Sequence, residues 1–194
     1  MNNCIMKRIL LLITLLTSFT VFAQKECEYT VMETEEGKQL KSTKEYLLYE
    51  KTFAGTSQFL FFSLTNSEGV PILNFQQLSK SKDFPKMYCL DKASRIYLQL
   101  MNGKIITLIY ALDEQCSGLI YDETEKNNIR ILTGSFLFTK GSFEELEQSP
   151  ITFMRVKYAS ETVDYPIRKE IENSSNGQKY NPESFFIDYL KCIK

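Results

Sequence analysis

The dipeptide Asn102-Gly103 lies between two segments of alternating apolar residues, Arg95–Met101 and Lys104–Ala111. Both residues of the dipeptide tolerate the positive φ values of a type I′ turn, so the sequence predicts a β-hairpin with a two-residue loop. Such a loop fixes the register of the two strands, and the same register continued outward brings Cys89 opposite Cys116. Directly opposed residues on antiparallel strands lie within disulfide-bonding distance. The sequence therefore predicts an antiparallel hairpin and a disulfide between these two cysteines.

The predicted register gives the hairpin two different faces. One face is largely apolar and is assigned to the protein core, and it carries Ile96, Leu98, Leu100, Ile105, Thr107 and Ile109. The opposite face mixes apolar and polar side chains, and it includes Tyr97, Gln99, Leu108 and Tyr110. Two interpretations of the mixed face remain open, a surface partly covered by another sheet or a binding face for a ligand. We name these four residues as the possible binding face.

Short apolar segments separated by turn residues continue along the rest of the chain, which is typical of an antiparallel β protein. The predicted strands cover residues 28–33, 44–51, 56–65, 70–78, 129–139, 152–158 and 162–167. The strand at 56–65 has apolar residues on both faces, with Phe59 and Phe61 on the second face, which predicts that it is covered on both sides. Residues 113–128 are polar and acidic and are predicted to form a loop. We expect a mainly β (β-rich α+β) fold, built as an antiparallel sandwich or a partly open barrel.

A short helix is predicted near residues 142–149. Ser142 and Glu145 have the spacing of a capping box, in which each side chain bonds a free backbone N–H of the first turn. Pro150 ends this helix, since proline cannot continue it.

A second helix is predicted at the C-terminus, near residues 182–193. Asn181 is placed as its cap and Pro182 at its first position, where the missing N–H of proline costs no hydrogen bond. The apolar side chains of this helix recur on one face. We expect that face to dock on the sheet through Phe186 and Leu190.

The N-terminus has the three parts of a secretory signal peptide. Lys7-Arg8 supplies positive charge, Ile9–Phe22 is apolar but too short to span a membrane, and Val21-Phe22-Ala23 fits a cleavage site. The sequence is therefore divided into a signal peptide, residues 1–23, and a single domain, residues 24–194. We expect a periplasmic or secreted protein with no membrane span after signal removal, because no second long apolar segment follows.

Export to an oxidising compartment changes how the cysteines are interpreted. Removal of the signal peptide discards Cys4 and leaves Cys27, Cys89, Cys116 and Cys192, an even number that predicts two disulfides. Four cysteines allow three connectivities. If Cys89 pairs with Cys116 as the hairpin register predicts, the second disulfide joins Cys27 to Cys192 by elimination.

Composition excludes several classes of function. The chain contains no His, which excludes Ser-His-Asp and Cys-His catalysis and His-based zinc sites. Its formal net charge is −1, and loss of Lys7 and Arg8 with the signal peptide makes this −3, whereas a nucleic-acid-binding domain would be strongly basic. Phosphate-binding, nucleophile-elbow and metalloprotease motifs are missing from the sequence. We therefore expect no catalytic residue, no metal, no cofactor and no nucleic-acid partner.

Carboxylates are the remaining catalytic option, and they cluster at Asp113-Glu114, at Asp122–Glu125 and at Glu144–Glu147. A glycoside hydrolase needs two carboxyls on either side of a sugar cleft. The chain lacks Trp, which argues against the aromatic platforms that such clefts usually offer. Acidic residues in polar segments are more typical of solvated loops and helix faces.

The last third of the chain contains four short motifs: Phe143-Glu144-Glu145-Leu146, Ser149-Pro150-Ile151, Arg155-Val156 and the segment Phe185–Cys192. Together with the junction Phe22-Ala23-Gln24, they resemble small secreted proteins of Bacteroidota bacteria. The resemblance implies export. It implies no activity and no functional residue.

The sequence leaves three hypotheses for function. The first is a non-catalytic exported envelope protein, a binding or interaction module for an unknown protein or a small apolar ligand. The second is a small carboxylate-dependent hydrolase acting on surface glycans, which requires a deep cleft with two acids. The third is a carrier barrel with an apolar lumen for a hydrophobic ligand.

Overall fold

A computed structural model of the protein describes residues 26–33 and 39–194. The predicted signal peptide lies outside the described residues. The first strands are β1 (Tyr29–Glu33), β2 (Gln39–Thr43), β3 (Tyr46–Phe53), β4 (Thr56–Ser67), β5 (Val70–Ser81), β6 (Cys89–Leu90), β7 (Arg95–Leu100) and β8 (Ile105–Tyr110). The later strands are β9 (Gln115–Cys116), β10 (Gly118–Asp122), β11 (Asn127–Phe138), β12 (Ile151–Lys157), β13 (Thr162–Pro166), β14 (Ile171–Glu172) and β15 (Lys179–Tyr180). The α-helices are α1 (Ser142–Gln148) and α2 (Phe185–Tyr189).

In the described part of the chain, one antiparallel sheet contains eleven strands, and nine of them follow the order β1-β2-β4-β5-β11-β8-β7-β12-β13. Two more strands lie beside this path, because β4 and β11 are 12 residues long and can each pair with two neighbours on one side. β3 pairs with the first half of β4, and β10 pairs with the first half of β11. The antiparallel β-rich fold with helices near the C-terminus is as predicted.

The sheet curls around one core, so that strands far apart in its order come together. The ring of Tyr49 in β3 lies 5.1 Å from the ring of Tyr165 in β13. Between these ends, the Tyr158 hydroxyl donates to Gln77 Oε1 in β5 at 2.8 Å. Side chains from most strands fill the interior, including Leu60, Phe62, Leu73, Phe75, Leu98, Leu108, Phe136, Met154 and Val156. The result is a partly open barrel with a packed centre.

The C-terminal segment docks on this core as predicted. It consists of a 3-10 turn at Pro182–Ser184, helix α2 and a second 3-10 turn at Leu190–Ile193. Phe186 and Leu190 are fully buried, and the Phe186 ring lies 6.1 Å from that of Phe62 in β4. Pro182 occupies the first position of the segment, as expected. Asn181 occupies the N-cap position, as predicted, but its side chain makes no capping hydrogen bond.

The predicted capping box of α1 is wrong. The residue before the helix is Gly141, which enters through a left-handed conformation with φ of 81°. Ser142 lies inside the helix, and its hydroxyl donates to the carbonyl of Thr139 at 2.6 Å. Because this hydroxyl is engaged with the preceding strand end, it is not available to the first turn. The helix ends before Pro150, as expected.

The hairpin β7–β8 forms, but its register differs from the prediction by one residue. Arg95 pairs with Ile109 and Gln99 with Ile105, so the loop contains three residues, 101–103. Within this loop only Gly103 has a positive φ, 83°, which matches a three-residue loop closed by a left-handed glycine. The shift turns Ile105 and Ile109 outward, and Ile106, Leu108 and Tyr110 point into the core instead.

Both predicted disulfides are present, Cys89–Cys116 and Cys27–Cys192. Cys89 and Cys116 are directly paired in the short β6–β9 ladder. The one-residue shift in the hairpin does not prevent this pairing, because an Asp91–Ser94 turn interrupts the ladder between the hairpin and the disulfide. The prediction of the bridge is confirmed, although the register used to reach it is not continuous.

The segment 113–128 is not a simple loop. It contains β9 and β10, and β11 already begins at Asn127. The apolar run Leu119-Ile120-Tyr121 forms the centre of β10, which pairs with Asn128–Arg130 of β11.

No helix in the described residues is long and apolar enough to cross a membrane.

Candidate functional site

The structure divides the four residues of the possible binding face. Tyr97 and Gln99 lie on the outer face of β7, as predicted. Leu108 and Tyr110 are only 0% and 4% exposed, and they belong to the core. The Tyr110 hydroxyl donates to the carbonyl of Asp113 at 2.9 Å. Their predicted place on the same outward face as Tyr97 and Gln99 is wrong, because the hairpin register places the odd-numbered residues of β8 outward.

The outward residues of β7, β8, β12 and β13 surround a hollow of about 500 Å³. We call this surface the Tyr97 face, and its lining residues are Tyr97, Gln99, Ile105, Phe153, Arg155, Lys157 and Thr162. Strand pairing brings them together, because Gln99 pairs with both Ile105 of β8 and Phe153 of β12. Residues paired across an antiparallel ladder present their side chains on the same face. Aromatic, aliphatic and cationic side chains thus share one surface.

The Tyr97 face carries an excess of positive charge. Lys157 pairs directly with Arg95 across the β7–β12 ladder, and like charges in opposed positions destabilise a sheet. The Arg95 guanidinium donates to the carbonyls of Lys92 and Ser94, which leave its charge uncompensated. Within residues 26–33 and 39–194, Lys157 makes no ion pair. This pair of cations is electrostatically unfavourable in the protein alone and favours a ligand with negative charge.

The third cation of this surface is paired. Arg155 donates from Nε to Asp164 Oδ1 at 2.6 Å and from Nη2 to Asp164 Oδ2 at 2.8 Å. These hydrogen bonds lower the pKa of Asp164, so its carboxylate stays ionised in moderately acidic solution. The bidentate contact ties the Arg155 side chain to β13, and Arg155 pairs with Tyr97 across the β7–β12 ladder. Three cations and one carboxylate therefore leave the surface with a net positive charge.

Sequence reasoning missed Phe153, Arg155 and Lys157. The alternation that places Met154 and Val156 in the core already assigns these three residues to the opposite face of β12. Their position beside Tyr97 depends on the pairing of β12 with β7, which joins residues far apart in the sequence. The alternation of apolar residues in β12 could have predicted that these three side chains face outward. Their position beside Tyr97 could not be predicted, because the sequence does not show which strands are neighbours.

A second hollow, of about 490 Å³, lies on the outer face of β4, β5 and β11. We call it the Phe61 hollow, and its apolar lining residues are Phe59, Phe61, Leu78 and Ile129. The segment Asn173–Ser175 borders it, and the Ser174 amide donates to the Glu50 carboxylate at 3.2 Å. The second face of β4 is therefore half-buried, whereas the sequence predicted that it would be covered.

The acidic clusters serve structural roles at the surface. Asp122 accepts hydrogen bonds from the amides of Thr124 and Glu125, at 2.9 and 3.1 Å, and so shapes the turn between β10 and β11. Glu125 forms an ion pair with Lys80. In α1, Glu145 forms an ion pair with Lys104, and Glu147 forms one with Lys194. In these contacts the carboxylates act as ion-pair partners of lysines and as hydrogen-bond acceptors for turn amides.

The most perturbed titratable groups lie in the core. Tyr158 and Tyr165 place their hydroxyls 2.9 Å apart, and burial raises the pKa of both phenols. Both rings are almost fully buried, so these hydroxyls contact the interior and not a ligand. The two hydroxyls lie within hydrogen-bonding distance of each other, and that of Tyr158 also donates a hydrogen bond to Gln77.

Among the residues described, no group of three or more His, Cys, Asp or Glu side chains is placed to hold a metal ion. The Tyr97 face offers donors and an aromatic ring but no nucleophile beside a base. Comparison with known protein families, with curated proteins and with solved structures finds no match for this chain.

Proposed function

We propose that this protein is an exported, non-catalytic binding module that holds an anionic partner with apolar groups on the Tyr97 face. One observation carries the proposal. Lys157, which makes no ion pair with any residue that the structure describes, lies directly opposite Arg95, beside the exposed Ile105 and the half-buried rings of Tyr97 and Phe153. Charge attracts the acidic groups of a partner, and apolar contact adds affinity. An acidic protein segment with aromatic or aliphatic residues has both features.

Two independent features support export. The N-terminal sequence has the successive charged, apolar and cleavage-site parts of a signal peptide, and the fold contains the disulfides Cys27–Cys192 and Cys89–Cys116. Disulfides persist in the periplasm and outside the cell and are rare in the reducing cytosol. The proposed compartment is therefore the periplasm or the extracellular space.

The two alternative functions have weaker support. A glycan hydrolase would need paired carboxyls in a cleft, and the acidic clusters are instead engaged in turns and lysine pairs. A carrier barrel would need a lumen, and the interior is occupied by core side chains such as Phe62, Phe75 and Phe136. Both hollows described above lie on outer faces of the sheet.

Binding of a defined probe tests the proposal. A fluorescent peptide of alternating Glu and Phe is titrated with the mature protein, and fluorescence anisotropy reports the dissociation constant. We expect binding that weakens with added salt, and no comparable binding of a Lys/Phe peptide. Equal binding of both peptides, or no binding of the acidic one, contradicts the proposal.

Two variants locate the binding surface. Lys157→Glu removes a cation that has no ion-pair partner in the described residues, so we expect weaker binding by several-fold and an unchanged fold. Tyr97→Ala removes the central ring and should weaken binding as well. The matched control is Lys169→Glu, an exposed lysine outside the Tyr97 face. If the control weakens binding as much as Lys157→Glu does, the effect is general charge and the assigned surface is wrong.

A further inference from the structure

Strand β10 is an exposed edge of the sheet. One side of it pairs with β11, and no other strand in the described ranges pairs with its second side. Its three central residues are apolar and exposed, with Leu119 at 44%, Ile120 at 55% and Tyr121 at 50%. An exposed edge strand presents free N–H and C=O groups to another chain, and proteins usually protect such edges with Lys, Pro or a covering segment. β10 contains neither Lys nor Pro.

Strand β13, at one end of the strand order, shows the protection that β10 lacks. β13 is shielded by Pro166, which cannot donate a hydrogen bond to an added strand, and it carries the ion-paired Asp164. A difference of this kind between two edges of one sheet indicates that pairing is tolerated at β10 and prevented at β13.

Further apolar surface adjoins β10. The Arg130 guanidinium donates to the carbonyl of Pro85 at 2.8 Å and to that of Ser117 at 3.1 Å. These two bonds hold the segment around Pro85 beside the start of β10. Phe84 and Met87, on either side of that segment, are both exposed. Exposed apolar side chains thus lie on β10 and on the segment beside it, and grouped exposed apolar residues are typical of interaction sites.

We propose that β10 pairs antiparallel with β10 of a second copy of this chain, about a twofold axis at Ile120. This register places Ile120 opposite itself, Leu119 opposite Tyr121, and Asp122 opposite Gly118. Apolar side chains then face apolar ones at the three central positions, and each carboxylate faces a residue without a side chain. A twofold contact uses the same patch on both copies and closes after two chains.

The two neighbouring symmetric registers are worse. A twofold axis at Leu119 would place Ile120 opposite Gly118 and Tyr121 opposite Ser117, so neither would face an apolar side chain. A twofold axis at Tyr121 would place Ile120 opposite the carboxylate of Asp122 and Leu119 opposite that of Glu123. Each such pair would desolvate a charge against an apolar side chain. The sequence of β10 is thus complementary to itself in the register centred on Ile120, which is the reason for choosing a second copy as its partner.

The oligomeric state of the mature protein tests this proposal independently of the Tyr97 face. Sedimentation velocity over a range of concentrations should show a monomer–dimer equilibrium. Ile120→Lys places two charges opposite each other and should abolish the dimer, whereas Ile105→Lys on the Tyr97 face should leave it intact. A wild-type protein that stays monomeric at its highest soluble concentration overturns the proposal, and so does a dimer that survives Ile120→Lys.

A gain-of-contact variant covers the case in which Ile120→Lys does not fold. Ile120→Cys places two thiols opposite each other, about 4.5–5.5 Å apart between Cα atoms, which permits a disulfide. With copper–phenanthroline as the oxidant we expect a covalent dimer. Val70→Cys, an exposed position outside β10, is the control and should form no covalent dimer. Equal cross-linking of both variants, or none at position 120, contradicts the register.

Discussion

Two tyrosines carry polar hydroxyls into the apolar interior, and they do so as a pair. The Tyr158 hydroxyl bonds Gln77 and lies within hydrogen-bonding distance of Tyr165, so neither phenol is buried without a partner. An unpartnered buried hydroxyl costs about 1–3 kcal/mol, and the pair avoids that cost. The same burial penalises the phenolate form and raises the pKa of both groups above the ordinary value near 10.

This raised pKa predicts a loss of stability in alkali. A phenol that ionises at higher pH in the folded state than in the unfolded state contributes its full stabilisation below about pH 10 and loses it above that value. We expect the free energy of unfolding to be flat from about pH 8 to 9 and to fall steeply above pH 10. Urea denaturation at each pH measures it. Tyr165→Phe should show a smaller alkaline loss, and an equal loss in the variant would contradict the assignment.

The space around Gly134 is too small for a side chain. Its backbone conformation is one that any residue can adopt, so close packing is the reason for a glycine at this position. A Cβ at this position would lie 2.5 Å from Leu90 Cδ1 and 3.0 Å from Tyr110 Cε2, and both side chains are buried. Gly134→Ala should therefore lower the free energy of unfolding by about 1–3 kcal/mol. Gly118→Ala is the control, because no atom lies within 4 Å of the added carbon. Equal stability of the two variants in urea would show that the core around Leu90 adjusts freely.

At the scale of elements, local chemistry predicted where strands and turns occur. The β7–β8 hairpin was predictable because Asn-Gly favours a tight turn, but two loop lengths satisfy that preference. The longer loop buries Ile106, Leu108 and Tyr110, whereas the shorter one would bury Ile105, Thr107 and Ile109. Burial of the larger apolar surface decides between them, and that depends on the rest of the core. Strand β10 was missed because acidic residues on both sides obscure its three apolar residues.

The docked C-terminal helix is the element whose contribution is simplest to measure. Phe186→Ala and Leu190→Ala each remove a fully buried side chain and should lower the free energy of unfolding by about 2–5 kcal/mol. Ile187→Ala, on the exposed side of α2, should change it by less than about 0.5 kcal/mol. Thermal and urea unfolding both report the difference. Unchanged midpoints for the two buried positions would mean that the helix is not part of the folded core.

At the scale of the whole molecule, the sequence predicted the fold class and both disulfides but not the order of strands. β5 pairs with β11 and β7 with β12 across long stretches of chain, and no local pattern specifies those partners. The Tyr97 face exists only because of these long-range pairings. The outward placement of Tyr97 and Gln99 was predictable because it depends on alternation alone. The placement of Leu108 and Tyr110 depended on the hairpin register and was not predictable in the same way.

The proposed export predicts the N-terminal residue and the disulfide pairing of the mature protein. Protein recovered from the periplasm or the culture fluid should begin at Gln24, because the cleavage site follows Ala23. A non-reducing peptide map should contain Cys27 joined to Cys192 and Cys89 joined to Cys116. Intact-mass spectrometry and the peptide map check both statements in one sample. A mass that retains residues 1–23, or four free thiols, would contradict export to an oxidising compartment.

The central claim is that the Tyr97 face binds an anionic, partly apolar partner. The most direct measurement is a titration of ¹⁵N-labelled mature protein with the Glu/Phe peptide, followed by NMR. The account predicts chemical-shift changes concentrated at the amides of Tyr97, Gln99, Ile105, Arg155 and Lys157, with the Phe61 hollow and β10 unchanged. Changes centred on Phe59 and Phe61, or spread evenly over the sheet, would contradict it.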